Sequence, residues 1–462
     1  MWRYSRRRFL QVAASGMAGA AWGLTTGRVA AQVPGDRPMQ DAGAQVVNPR
    51  LRVPVSLIID DSTCLVNLNR FAIPQFAAAW GDRDHNYNQP WRSMPHEIPD
   101  DFVRRFGEWC HEHGVRGKYS VVPFPACVGR LDRELPGWTA QELTRSIDLV
   151  RTTMMPDWDI HPEMVTHTRV IDLSTGHPYQ ERSLRFQENW DWTTGKSVDE
   201  LADYMRYALQ ILKNVDLPCE GVTTPGGFGN RVLPELSQAA MQACRDVFSA
   251  EIPHYFRHLY ASGDRSVAPR VENASGLDTD DPQCVVSIIG CTGDWTGGWD
   301  CSSWGDPDRF ITPDLESGRM VEVIERGEPA IIVCHWTGIY FNGEEHGFGV
   351  FQEVVRRLHE RFDHLAWMKL SEIARYWAAK ELTSIAQQGR KVQLTAPYAC
   401  PDFTLRMGMT SDATPRVVVD GSATPLRKVA SARELQSGTW QQTDRGTVVC
   451  FDLPKGVSEL QT

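Results

Sequence analysis

Asp60 and Asp61 close the apolar run Val53-Pro54-Val55-Ser56-Leu57-Ile58-Ile59, and two adjacent carboxylates at the tip of a buried strand are the first chemistry the chain offers. Carboxylates in such a place are costly unless a cation or a proton neutralises one of them. With a divalent metal on Asp61, Asp60 is left as a general base for water. The plain alternative is a strand-end turn capped by Asp-Asp-Ser-Thr.

Imidazoles follow two later strands. His161-Pro162-Glu163-Met164-Val165-Thr166-His167 carries two histidines in one loop, and neutral imidazole suits zinc and related divalent ions, so His161 and His167 are the candidate partners of Asp61. His335 ends the run Ile332-Val333-Cys334 and is the candidate general acid, or else a core histidine bonded to a carbonyl. Trp336 and Tyr340 beside it either stack on a sugar ring or pack. Thr224-Pro225-Gly226-Gly227-Phe228-Gly229-Asn230 lacks the spacing of a nucleotide loop, and Thr224 and Gly226 read as a turn around a small substrate or a connector. Asp294-Trp295-Thr296-Gly297-Gly298-Trp299-Asp300, with Trp304, forms either a carbohydrate platform led by Asp294 and Trp295 or a packed rim. Neither a GxSxG elbow nor HExxH occurs, which disfavours ordinary serine hydrolases and zincin-type peptidases.

The elements that would carry these residues alternate between strand and helix from Val53 to about Ala379. Pro99-Asp100-Asp101 starts a helix with Phe102, Phe106, Trp109 and Cys110 on one face, and Gly114 stops it. Thr139 with Glu142, and Ser197 with Glu200, are capping boxes. Strands are expected near 118–123, 158–160, 221–224, 285–289, 330–333 and 365–368, with helices over 351–362 and 371–377. Repeated strand–helix units predict a parallel sheet with outer helices, and roughly seven or eight of them favour a closed barrel with its chemistry at the carboxyl ends of the strands. From about Gln388 the pattern becomes short alternating runs between Gly, Pro, Asp and Ser, which predicts a small antiparallel β appendage.

The chain has 462 residues, 42% of them hydrophobic, enough for a large core and more than one domain. Ser5-Arg6-Arg7-Arg8-Phe9-Leu10-Gln11, an Ala- and Gly-rich stretch and Val29-Ala30-Ala31 match a twin-arginine export leader over 1–31. That predicts a periplasmic or secreted protein, with the barrel over 32–385 and the β appendage over 386–462. Removing the five leader arginines shifts the formal charge from −10 to −15. So acidic a protein is a poor partner for nucleic acid or an anionic membrane. No other segment approaches spanning length. Eleven cysteines show no CxxC pair, and Cys291 with Cys301 is the first pairing to test.

Strand-Asp-Asp, a histidine loop after the third strand, a Pro-Gly turn and a histidine after a late strand together resemble the polysaccharide deacetylases, as a divergent exported member. The likeness covers about Val53 to Ala379. It implies an α/β fold, a distorted (β/α)7-8 barrel, one divalent metal held by an Asp-His-His set, Asp60 as base, Asp61 as ligand and His335 as acid. Three positions depart from the family pattern: His-x5-His replaces His-x3-His, Ile-Ile-Asp-Asp-Ser replaces Thr-Phe-Asp-Asp-Gly, and Thr224 stands where an Arg precedes Pro-Gly. The expectation is a metal-dependent hydrolase, with zinc as the expected divalent ion, that removes an acyl group from a poly- or oligosaccharide. Two other readings stay open. One is a glycoside hydrolase or lyase pairing Asp60 with Asp294 or Glu163. The other is a non-catalytic carbohydrate-binding barrel.

Overall fold

Val53–Asp60 is rich in β-branched Val and Ile, buried along its whole length, and it forms the strand around which the first sheet is built. The architecture is that of a computed structural model describing residues 33–81, 87, 89–408 and 413–462. The expected leader over 1–31 lies outside the described residues.

In chain order the strands are β1 (Ala44–Val46), β2 (Val53–Asp60), β3 (Gly117–Ser120), β4 (Trp158–His161), β5 (Ile171–Asp172), β6 (His177–Pro178), β7 (Gly221–Thr223), β8 (His254–Leu259), β9 (Arg270–Ser275), β10 (Gln283–Gly290), β11 (Ala330–His335) and β12 (Leu365–Trp367). β11, β2, β3 and β4 lie side by side in one parallel sheet, and β12 also pairs with β2 in parallel. β7, β8 and β10 form a second parallel arc, edged by antiparallel β9. The two arcs meet at both flanks. Thr223 N donates to Pro162 O at 3.0 Å, and Cys291 N donates to Ile331 O at 2.8 Å. The result is α/β with parallel sheets. The continuous ladder of the expected closed barrel is not found among the described residues.

Both capping boxes form. Thr139 and Glu142 open the helix Ala140–Leu149, and Ser197 and Glu200 open Val198–Asn214, each satisfying two otherwise orphaned backbone donors. Helices Asp100–Glu112, His346–Arg361 and Leu370–Leu382 also match the sequence pattern. Leu68–Trp80 and Leu233–Phe248 are helices the pattern did not announce, the first carrying Pro74 inside it. β8 and β9 were likewise unmarked, because His-Tyr-Phe-Arg-His-Leu and Arg-Val-Glu-Asn-Ala-Ser lack a clean apolar run.

The remaining strands are β13 (Ser384–Gln388), β14 (Lys391–Ala396), β15 (Cys400–Met407), β16 (Arg416–Val419), β17 (Ser422–Pro425), β18 (Arg427–Lys428), β19 (Thr439–Thr443), β20 (Gly446–Leu453) and β21 (Gly456–Gln461). They form two sheets, β1-β15-β20-β19-β18 and β13-β14-β21-β16-β17. All pairings are antiparallel except β18 with β19. One strand, β1, comes from the other end of the chain. Leu394, Phe403, Leu405, Val449 and Leu460 share a core with Ile373, Tyr376 and Trp377 of the helix Leu370–Leu382, and with Ile58, Ile331 and Val333 of the parallel sheet. No helix among the described residues is long and apolar enough to cross a membrane.

Candidate functional site

Parallel pairing sets β2 and β11 in register so that Asp60 and His335 are partners at the carboxyl ends of the two strands. The chain turns sharply after Asp60, and Asp61 takes a left-handed backbone at φ 62°. Its N–H donates to Glu163 Oε2 at 2.8 Å. Its carboxylate Oδ1 lies 2.7 Å from His167 Nε2, which is 3.3 Å from Glu163 Oε1. Asp61, Glu163 and His167 are all buried, and their donor atoms converge closely enough to hold one ion.

Electrostatics in this cluster are tightly matched. Burial is the largest influence on Glu163 and opposes its ionisation, but His167, Lys118 and the Asp61 N–H together hold its carboxyl down at about 2. Burial likewise opposes charge on His167, while Asp61 and Glu163 together hold it well above the ordinary imidazole value. The loop that presents His167 is organised by Glu188. This buried carboxyl accepts from Val165 N (3.2 Å), Thr166 N (3.0 Å), His167 N (2.6 Å) and Tyr204 Oη (2.5 Å). Burial pushes Glu188 up to about 7 in spite of those donors.

Asp60 is not in that cluster. It pairs with Lys118 Nζ at 2.5 Å, and Lys118, wholly buried on β3, also donates to Ile59 O at 3.1 Å and Ser120 Oγ at 2.8 Å. Burial raises the Asp60 carboxyl to about 6, with Lys118 pulling the other way. His335 Nδ1 lies 3.0 Å from Asp294 Oδ2. Burial works against protonation of His335, but Asp294 and then Asp61 hold it up at about 10. A carboxyl poised near 6 and a protonated imidazole therefore flank a buried set of two carboxylates and a histidine. That arrangement can accept a proton on one side and donate one on the other.

His161 is the main departure from the expected ligand set, and Glu163 takes its place beside Asp61 and His167. The physical reason is local. His161 is still inside β4, paired with Ser120, and its ring turns to His254 and Thr223. Glu163 follows Pro162, after the strand has ended. Burial, reinforced by His254, holds His161 well below its ordinary value.

The expected substrate contacts divide. Asp294 joins the site through His335. Trp336 is wholly buried against Phe102, Phe106 and Tyr119, and Tyr340 packs on Phe102 with centroids 5.0 Å apart, so both serve the core rather than a sugar platform. Trp295 lies against Phe310, with the Arg309 guanidinium 4.2 Å from its ring. Thr224 Oγ1 donates to Phe256 O at 3.1 Å. Gly226 has φ 43°, and a Cβ there would come 2.9 Å from Asn189 O, so this turn is pressed against the segment carrying Asn189. Nearer the site, sequence reasoning missed an aromatic group. Phe76 lies 6.4 Å from the His167 ring and contacts Trp190 (5.2 Å), Tyr87 (5.4 Å) and Trp299 (6.1 Å).

The Cys291–Cys301 pairing is not made. Cys291 Sγ faces Met320 Sδ at 3.8 Å, Cys301 Sγ faces Thr337 O at 3.4 Å, and all eleven cysteines are free thiols.

No family profile matches the chain. No curated protein matches it either. Among solved structures it is similar to a 4-alpha-glucanotransferase from Thermococcus litoralis (TM-score 0.37, 11% identity, 70% of this chain and 40% of that one). It is also similar to a structure named as a candidate glycoside hydrolase/deacetylase from Parabacteroides distasonis (TM-score 0.38, 10% identity, 82% and 86%). A third is an alpha-fucosidase from Thermotoga maritima (TM-score 0.29, 10% identity, 90% and 97%). The chain thus spans well under half the length of the glucanotransferase.

Proposed function

We propose that the protein is a metal-dependent hydrolase that removes an acyl group from a carbohydrate. The observation that carries this reading is the convergence of Asp61, Glu163 and His167 beside the Asp60–His335 pair. Two carboxylates and an imidazole are a donor set that fits zinc or a related divalent ion. A cation held by Asp61, Glu163 and His167 would polarise the acyl oxygen and acidify water. His167 Nε2 would then act as a lone-pair donor, giving up the proton that its two carboxylate neighbours now favour.

Asp60 acts as the base. Its carboxyl lies near 6 because burial and Lys118 oppose one another, so it is ionised yet able to take a proton near neutral pH. His335 acts as the acid. Asp294 keeps its proton in place until the leaving oxygen or nitrogen needs it. Phe76 packs beside His167, and the half-buried Trp190 and Trp299 around it offer aromatic faces that suit the apolar face of a sugar ring. An exported form, made through a twin-arginine leader, belongs to the same proposal.

A panel of acylated oligosaccharides, assayed for acetate release with and without chelator, tests the activity. Chelator-sensitive release supports the proposal. Shortened sugars without acetate, or binding that survives chelation with no turnover on any acylated glycan, overturns it.

A further inference from the structure

Beyond the site with Asp61 lies a second convergence of ligating atoms, and the proposed function makes no use of it. His161 ends β4, His254 begins β8, and Asp159 lies two residues before His161. His161 Nε2 and His254 Nε2 are 2.9 Å apart, and His254 Nε2 is 3.9 Å from Asp159 Oδ2. Both imidazoles are fully buried. We propose that Asp159, His161 and His254 bind a second divalent cation of the zinc type, which ties β4 to β8 and to the helix Leu370–Leu382.

Three observations carry this. First, two imidazole nitrogens and a carboxylate oxygen converge from two strands, β4 and β8. A tetrahedral zinc with bonds of about 2.0–2.1 Å places its donors roughly 3.3 Å apart, between the two spacings seen here. Second, the donors are held from behind. Ser371 N and Oγ donate to the Asp159 carboxylate at 2.6 and 2.8 Å, and Thr223 Oγ1 lies 3.3 Å from His161 Nδ1, which leaves Nε2 to face the gap. Third, position 221 is glycine. A Cβ there would come 2.6 Å from His161 Nε2 and 2.7 Å from His254 Nε2, so any side chain would occupy the space beside both nitrogens. The competing occupant of that gap is a single proton shared between the two rings. Because both imidazoles are fully buried, loading of the site is coupled to folding, and the expected role is structural.

The test uses untagged full-length protein from zinc-supplemented culture, with metal measured by mass spectrometry. In an Asp61→Ala/His167→Ala variant the set beside Asp60 is dismantled. This variant is expected to retain about one zinc per chain, and adding His254→Gln should lower that to near zero. A folded double variant with negligible zinc overturns the proposal and leaves a proton in the gap. Wild-type stoichiometry separates the two sites. About one zinc in both wild type and double variant supports this site while emptying the other, whereas about one in wild type and none in the variant does the reverse. If the His254→Gln chain fails to fold, cobalt replaces zinc in the double variant. Visible absorption typical of a tetrahedral imidazole–carboxylate site supports the assignment, and the spectrum of aqueous cobalt overturns it.

Discussion

His335 stands directly opposite Asp60 in the register of β11 and β2, so the proposed acid and base are fixed by backbone hydrogen bonding rather than by loop conformation. Sites built on strands hold geometry more tightly than sites built on loops. Asp60→Asn and His335→Gln should therefore each lower kcat by about 10²- to 10⁴-fold while the far-ultraviolet circular dichroism stays native. Kinetics on the acylated glycan found by screening check this. Unchanged turnover in either variant would remove that residue from the chemistry.

Lys118 is the buried counter-charge of Asp60. Removing one member of a buried pair strands the other, so Lys118→Met should cost about 3–5 kcal/mol in urea unfolding. The double variant Lys118→Met/Asp60→Leu should recover much of that loss, because no uncompensated charge remains. A double variant less stable than Lys118→Met would show that the pair does more than neutralise itself.

His335 and Asp294 predict a pH dependence of definite sign. Folded His335 keeps its proton up to about 10, whereas the unfolded imidazole releases it near 6.5. Below the unfolded value both states are protonated and the pairing stabilises in full. As pH rises toward the folded value that contribution is lost. Asp294→Asn should accordingly cost most stability in mildly acidic buffer and progressively less toward pH 10. Denaturant midpoints of both proteins across this range decide the point, and a gap that widens with pH would refute the pairing.

Trp336 separates packing from binding. Its ring is enclosed by Phe102, Phe106 and Tyr119. Trp336→Ala should lose about 3–5 kcal/mol of stability through cavity formation. At a temperature where the variant remains folded, sugar affinity measured by calorimetry should match that of the wild type. A large affinity loss without a stability loss would make Trp336 a platform after all.

Much of this was legible in the sequence, for identifiable reasons. The Asp60–Asp61 tip follows from a long apolar strand, and both capping boxes are local hydrogen-bond patterns that need no tertiary context. What escaped depends on partners distant in sequence. Lys118 reads as an ordinary strand lysine until Asp60 is placed beside it, since a fully buried lysine is rare. Glu163 lay in view between the two histidines, but strand-end geometry decides which of its neighbours shares its site. His254 was hidden because β8 carries too mixed a sequence to announce a strand. Glu188 acts on backbone N–H groups, which no side-chain motif can reveal. Phe76, at the centre of the aromatic group, sits on a helix that the periodicity did not predict.

The pairing of β1 with β15 bears on how the molecule comes into being. Ala44–Val46 finds its hydrogen-bonding mate only after the whole parallel-sheet region between them has been translated. Nascent chains must keep Ala44–Val46 unpaired throughout that interval. A product terminated before β15 would present a bare strand to its neighbours and is expected to self-associate. This sheet can therefore close only once Cys400–Met407 has been made.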